Sequence, residues 1–192
     1  MYRPDRRFSV LSMAFAMVLV AGCGSSQPGE GTNSDGTTTS GGGGEPTAED
    51  YYEHYMSEAG MALAEDRLED ALDAYLEAAA TLDGTGEVTV KRAEAHFLAA
   101  DMAYQRVDKD LAIEQYQLSV DIYLRFTGNS RVKAAVALTN MGVIYKEKAD
   151  KNKARNCWEQ ALQIYKEAPS TSKVNIHIRK VQQNIRDLDH GF

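Results

Sequence analysis

The sequence predicts an all-α protein, a stack of about three helix hairpins closed by a single C-terminal helix. Three observations predict it. No proline interrupts the chain between Pro46 and Pro169, a stretch of Ala, Leu, Glu, Lys and Tyr at helical spacing without strand-like alternation. Breaks at Glu65-Asp66, Asp83 to Gly86, Asp108-Lys109-Asp110, Thr127 to Ser130, Ala149 to Asn152 and Ala168 to Ser172 divide that stretch into about seven helices. The chain also repeats itself, because Ala71, Ala112 and Ala154 lie 41 and 42 residues apart, as do Tyr75, Tyr116 and Trp158, and Ala78, Ser119 and Ala161. On the preceding helix of each pair the same offsets relate Ala59, Ala100 and Gly142, then Ala62, Ala103 and Tyr145. Val90, Val132 and Val174 recur as well, the first two followed by Lys91 and Lys133.

Each hairpin is justified by what its residues can bury. Ala or Gly facing a neighbouring helix allows close backbone approach. An aromatic residue four positions after the recurrent Ala shares its helix face and fills the gap toward the next pair. One hairpin cannot bury its apolar face alone, so neighbours must stack into a continuous core. After the third pair, Val174, Ile178, Val181, Ile185 and Leu188 form a narrow apolar stripe on the segment Lys173 to Leu188. That stripe predicts a cap over the open end of the stack; a short dimer seam is the competing reading.

The third copy, Leu138-Thr139-Asn140-Met141-Gly142-Val143-Ile144-Tyr145 followed by Ala154, Trp158, Ala161 and Leu162, resembles tetratricopeptide repeats (TPR). The resemblance extends over roughly residues 52 to 188 and implies a right-handed superhelical solenoid. The period exceeds the ~34 residues usual for that family, like the longer repeats of kinesin light chains. The proline that usually closes each repeat is missing, and Tyr55 stands where the family often has Trp.

The N-terminal region has a different texture. Arg3, Arg6 and Arg7 precede an apolar run from Phe8 to Ala21 whose only polar members are Ser9 and Ser12. As a helix it would reach roughly 21 Å, short of the ~30 Å hydrocarbon core, so residues 1–22 read as a signal peptide. The run leads into Leu19-Val20-Ala21-Gly22-Cys23, which resembles the lipobox of bacterial lipoproteins. The resemblance implies cleavage between Gly22 and Cys23, lipid on the Cys23 sulfur and acylation of the new amino terminus; an ordinary secretory signal is the alternative. Gly24 in place of Asp favours, by the sorting rule of well-studied lipoproteins, the periplasmic face of the outer membrane of a Gram-negative bacterium. Residues 23–48 contain no Leu, Ile, Val or aromatic residue and read as a disordered Gly/Ser/Thr-rich tether, with the helical domain at 49–192.

The 192 residues carry 28 acidic and 21 basic side chains, net −7, which excludes a general nucleic-acid role because phosphate binding needs a basic footprint. No H-E-x-x-H, C-x-x-C, G-x-S-x-G or G-x-x-x-x-G-K pattern occurs, and Gly84-Thr85-Gly86 reads as an inter-repeat turn. The expectation is a protein that is no enzyme and holds no cofactor or metal. His54, His96, His177 and His190 are dispersed and read as surface or groove residues. Asp70 and Asp73 read as a solvated face, and Cys157, beside Trp158, as a small buried hydrophobe.

Charge is distributed unevenly. Residues 49–87 hold 12 acids and one base, residues 88–127 six and five, and residues 128–192 six and 12. Such polarity can orient a partner or drive head-to-tail association. In tetratricopeptide folds the first helix of each pair lines a concave groove that takes an extended peptide or a helix. The residues matching groove positions are Met56, Gly60 and Leu63, then Phe97, Asp101 and Tyr104, then Thr139, Val143 and Lys146. The Lys/Asn set that clamps a terminal carboxylate in some members is not reproduced; Asn140 alone corresponds. The reading is a lipid-anchored envelope adaptor that binds a protein or peptide, with assembly of an outer-membrane, secretion or pilus complex as a setting by family analogy. The alternatives are a self-associating homo-oligomer and, third, a groove-based ligand-binding protein or enzyme.

Overall fold

The computed structural model describes residues 45–190. The signal peptide, the Gly22/Cys23 junction and all but the last few residues of the tether lie outside the described residues. Among those described, seven α-helices follow one another: α1 (Ala48–Ala64), α2 (Leu68–Asp83), α3 (Val90–Gln105), α4 (Lys109–Tyr123), α5 (Asn129–Glu147), α6 (Lys151–Glu167) and α7 (Ser172–Asp189). They form three antiparallel hairpins, α1–α2, α3–α4 and α5–α6, each packed against the next, with α7 against α6. This is the helical solenoid that the repeat predicts.

Helix starts are set by side-chain caps. Thr47 accepts from the Asp50 amide while the Asp50 carboxylate accepts from the Thr47 amide, a capping box that starts α1 at Ala48, one residue inside the predicted tether. Thr89, Asp108, Asp150 and Thr171 cap α3, α4, α6 and α7 more simply, each side chain accepting from the amide three residues on. Asp108 and Asp150 therefore belong to the breaks, but Lys109, Asp110, Lys151 and Asn152 are already helical. Gly128 starts α5 at φ 62°, ψ −135°, a conformation reserved in practice for glycine.

The hairpin turns share one geometry. In each, the third residue past the helix donates to the carbonyl five positions back: Arg67 to Ala62, Asp108 to Ala103 and Asp150 to Tyr145, all at 2.9 Å. These are Schellman turns, and they explain part of the repeat, since Ala62, Ala103 and Tyr145 supply the acceptors. The intervening residues Asp66, Val107 and Ala149 adopt left-handed φ of 59°, 66° and 60° without a glycine among them. Val107 is β-branched, and that conformation costs it most.

The core is assembled from the recurrent positions. Ala71, Ala112 and Ala154 are fully enclosed, as are Ala78, Ser119 and Ala161, while Tyr75, Tyr116 and Trp158 are buried behind them. The Ser119 hydroxyl donates to the Ala93 carbonyl at 2.8 Å, so the one polar member of its set is satisfied. Gly142 marks the closest approach: a Cβ there would lie 2.2 Å from Trp158 Nε1. At the corresponding repeat positions of the other hairpins stand Ala59 and Ala100 with the smaller Tyr75 and Tyr116, all buried. Val174, Val181 and Leu188 of α7 are buried in the same core, with Ile178 and Ile185 packed against it. The stripe is thus consumed within the chain as a cap, not left as a dimer seam.

Two predictions follow from this packing. Gly142→Ala is expected to destabilise by about 2 kcal/mol through overpacking, and Trp158→Tyr in the same chain to recover most of that loss; urea unfolding of both single variants and the double variant measures the coupling. Additive losses would show that the pair is not the constraint. Val107→Gly, at a residue 73% exposed, is expected to raise stability by about 1 kcal/mol, seen as a thermal midpoint about 2–4 °C higher.

Candidate functional site

The first helices α1, α3 and α5 carry the predicted groove residues. Phe97, Asp101 and Tyr104 follow at i, i+4 and i+7 and so share one face of α3; all three are half-buried. On α5, Asn140, Val143 and Lys146 are likewise half-buried. Thr139, expected to face the groove, is buried instead: its hydroxyl donates to the Ala135 carbonyl at 2.7 Å, and its own carbonyl accepts from Trp158 Nε1 at 3.1 Å. On α1, Met56 and Leu63 pack partly against the core, whereas Gly60 is exposed with nothing within 4 Å of the position its Cβ would take.

The centre of the face is a polar network between α3, α4 and α5. The Tyr116 hydroxyl donates to the Asp101 carboxylate and accepts from the Asn140 side-chain amide at 3.1 Å. The Phe97 ring stands edge-on to Tyr116, centroids 5.5 Å apart. One helical turn further on, the Tyr104 hydroxyl donates to Glu147 at 2.7 Å, and Glu147 also meets Lys109 at 3.0 Å. The structure thus brings together Phe97, Asp101 and Tyr104, and adds Tyr116, Asn140 and Glu147 to them. Met56, Leu63, Val143 and Lys146 flank this cluster without a polar link to it among the described residues.

Electrostatics single out Asp101. Burial pushes its carboxyl up to about 6, the Tyr116 hydrogen bond pulling only partly the other way. No cationic side chain contributes to that balance. Burial also raises the hydroxyls of Tyr104, to about 12, and Tyr116, helped by Glu147 and Asp101 respectively. On α2, Tyr75 is raised by burial and then by the Asp101 charge.

Other sequence-selected residues take quieter places. Asp70 and Asp73 are exposed, Asp70 paired with Arg67. Cys157 is buried, and burial pushes its thiol up to about 11, away from thiolate chemistry. His96 is not a surface residue but 3% exposed, held between Gln115 at 2.8 Å and Asp83 at 3.2 Å. A cleft of about 420 Å³ between α4 and α6, floored by Val120, Leu138, Met141 and Cys157, has no counterpart in the sequence reading. No three His, Cys, Asp or Glu among the described residues are placed to share a metal ion, and no described helix is long and apolar enough to cross a membrane.

Tyr116 is the residue that sequence reasoning missed. As the recurrent aromatic it reads as core filler, but a buried tyrosine hydroxyl usually finds a partner, and at 1% exposure Tyr116 finds two. That requirement is the signal that could have placed it beside Asp101.

The hairpin stack and its face of first helices define a helical-repeat scaffold of tetratricopeptide type, a class that serves protein–protein interaction. Within that class the chain belongs to the soluble NSF attachment protein (SNAP) family, whose model matches residues 31–189. Among solved structures, the crystal structure of BtubC (BKLC) from P. vanneervenii is similar with a TM-score of 0.61 at 19% identity, over 76% of this chain and 60% of that one. The chain therefore spans about three fifths of the length of that neighbour. The crystal structure of MamA protein gives a TM-score of 0.32 at 13% identity, covering 73% of this chain and 91% of that one. No curated protein matches the sequence.

Asp101 also generates a stability prediction. Its native carboxyl holds a proton more tightly than the unfolded one, so the native state binds more protons between pH ~4 and ~6. Stability then falls as pH rises through that window, and the full cost is present above ~6. Asp101→Asn is expected to abolish this decline and to match or exceed the parent by about 1–2 kcal/mol at pH 7. Urea midpoints from pH 4 to 7 check it, and parallel profiles would contradict it.

Proposed function

We propose that this protein is a lipid-anchored adaptor of the cell envelope whose first-helix face binds a segment of a partner protein. The observation that carries the groove reading is the row Phe97, Asp101 and Tyr104, held in register with Asn140 and Glu147 of the next hairpin. Aromatic side chains already held in place, Tyr104 by its hydrogen bond to Glu147 and Phe97 by its edge-on contact with Tyr116, offer contact area at low entropic cost, the property of interaction hot spots. Membership of the SNAP family supports attachment of one protein to another as the role. Leu19-Val20-Ala21-Gly22-Cys23 after an apolar run supports the anchor, and Gly24 supports the periplasmic face of the outer membrane, where assembly of an outer-membrane, secretion or pilus complex would offer partners.

A photoreactive residue at Val143 in native membranes tests the proposal. One envelope protein is expected to crosslink, with a yield reduced at least ten-fold by Phe97→Ala with Tyr104→Ala and strongly lowered in a Cys23→Ala form. An undiminished yield in the aromatic variant would move the site off this face. Globomycin-sensitive processing of the precursor, with [³H]palmitate incorporated only when Cys23 is present, tests the anchor.

A second reading, self-association, is favoured by the charge polarity and by exposed apolar residues at both ends, Tyr51 and Met61 on α1 and Ile176 on α7. Head-to-tail contact of this sort builds open chains. Sedimentation that is independent of salt and concentration would eliminate it.

A further inference from the structure

We propose that the Asp101 site receives a cationic side chain, a lysine or arginine of the segment that docks on the first-helix face. The inference rests on that face being the binding surface. Tyr116 is the single donor to Asp101 among the described residues, and its one proton is committed there because Asn140 fills its acceptor side. An ionised carboxylate accepts about four hydrogen bonds, so Asp101 retains acceptor capacity that the fold leaves unused.

The surroundings decide what can use it. The groups that act on Asp101 are the hydroxyls of Tyr116 on α4 and Tyr75 on α2; Asn140 of α5 joins through Tyr116, and Tyr104, one turn along α3, is bonded to Glu147 of α5. No cationic side chain acts on Asp101 itself: Lys109 is taken up by Glu147 at 3.0 Å, and Lys146 has no polar link to the cluster among the described residues, so an anionic ligand would meet the Asp101 charge unopposed. A terminal carboxylate, the ligand of clamp-type grooves, is therefore the wrong partner here. Phe97 and Tyr104 flank Asp101 one turn to either side, giving aromatic surface for the aliphatic stem and the charge of a lysine or arginine. The first hairpin, with 12 acids against one base over residues 49–87, raises the local concentration of cationic segments.

Enclosure of Asp101 supplies the energetic logic. Its charge is held at a cost that an arriving cation offsets, so the site is complete only when occupied. Since its carboxyl is pushed up to about 6 by burial, occupancy weakens as pH falls below that value.

The test is an NMR titration of the full chain with n-butylammonium and methylguanidinium as the side-chain probes and n-butanol as the neutral control. The expected result is a saturable shift of the Asn140 side-chain amide and the Tyr104 ring at pH 7. It should weaken at least five-fold at pH 5, vanish in Asp101→Asn and persist in Asp101→Glu and Asp73→Asn. No saturable shift in the parent chain, or an equal one in Asp101→Asn, overturns the inference. The Val143 crosslink separates it from the docking reading. A crosslink undiminished by Asp101→Asn leaves the face as the binding surface and refutes the cation, whereas a crosslink that Phe97→Ala with Tyr104→Ala leaves unchanged refutes the face itself.

Discussion

The fold depends on how closely the two helices of a hairpin can approach. Ala59, Ala100 and Gly142 of the first helices are buried, as are Tyr75, Tyr116 and Trp158 of the second, and in the third hairpin even a methyl at Gly142 would overlap the Trp158 indole. Close approach brings the backbones into dispersion contact along their length. It leaves the outer faces of the hairpin apolar, so stacking is obligatory. The position of the candidate site is a by-product of the same packing. Tyr116 passes through the core and delivers its hydroxyl on the far side, against Asp101 and Asn140. Trp158, at the equivalent place, spends its single donor on the Thr139 carbonyl and reaches no further. The middle hairpin can therefore build a polar site from a repeat position that the third cannot.

Neighbouring hairpins are also stitched by ion pairs that recur with the repeat. Glu53 of the first meets Lys91 of the second, and Glu94 of the second meets Lys133 of the third. Glu69 meets Arg106 as Asp110 meets Lys148. Each pair is exposed and contributes little on its own. Their common sense, acid first and base one hairpin later, accounts for part of the charge gradient along the chain. Lys91 and Lys133 also sit over the rings of Tyr52 and Tyr123, which explains why a lysine follows the recurrent valine. At the C-terminal end the sense reverses, Arg155 of α6 meeting Asp189 of α7, and the apolar stripe of α7 supplies the rest of the cover.

Asp101 departs from the economy of the rest. The hairpin packing does not require a half-buried carboxylate with no cation acting on it, and burial disfavours its charge. The flanking aromatics and the acidic first hairpin agree in sign with a cationic partner.

The helices, their number and the cap were legible in the sequence because they rest on periodicity, and periodicity survives without coordinates. Ala71, Ala112 and Ala154, or Tyr75, Tyr116 and Trp158, declare an inward face by recurring. Individual deviations were less legible. The left-handed turn residues Asp66, Val107 and Ala149 carry no glycine to announce them, so only the backbone reveals the Schellman geometry. Thr139 lies at a groove position by spacing, but the Trp158 bond to its carbonyl and its own bond to Ala135 draw it inside. His96 likewise gives no sign in the sequence of its partners Gln115 and Asp83. What the sequence determined by itself is the repeat, and with it the all-α stack, since an apolar face recurring every 41 to 42 residues can be buried only by its neighbours. What the tertiary structure alone decided is which polar groups meet. Asp101, Tyr116 and Asn140 are separated by 15 and 24 residues, and hydrogen bonds at that range depend on helix spacing and side-chain direction, which no periodicity encodes.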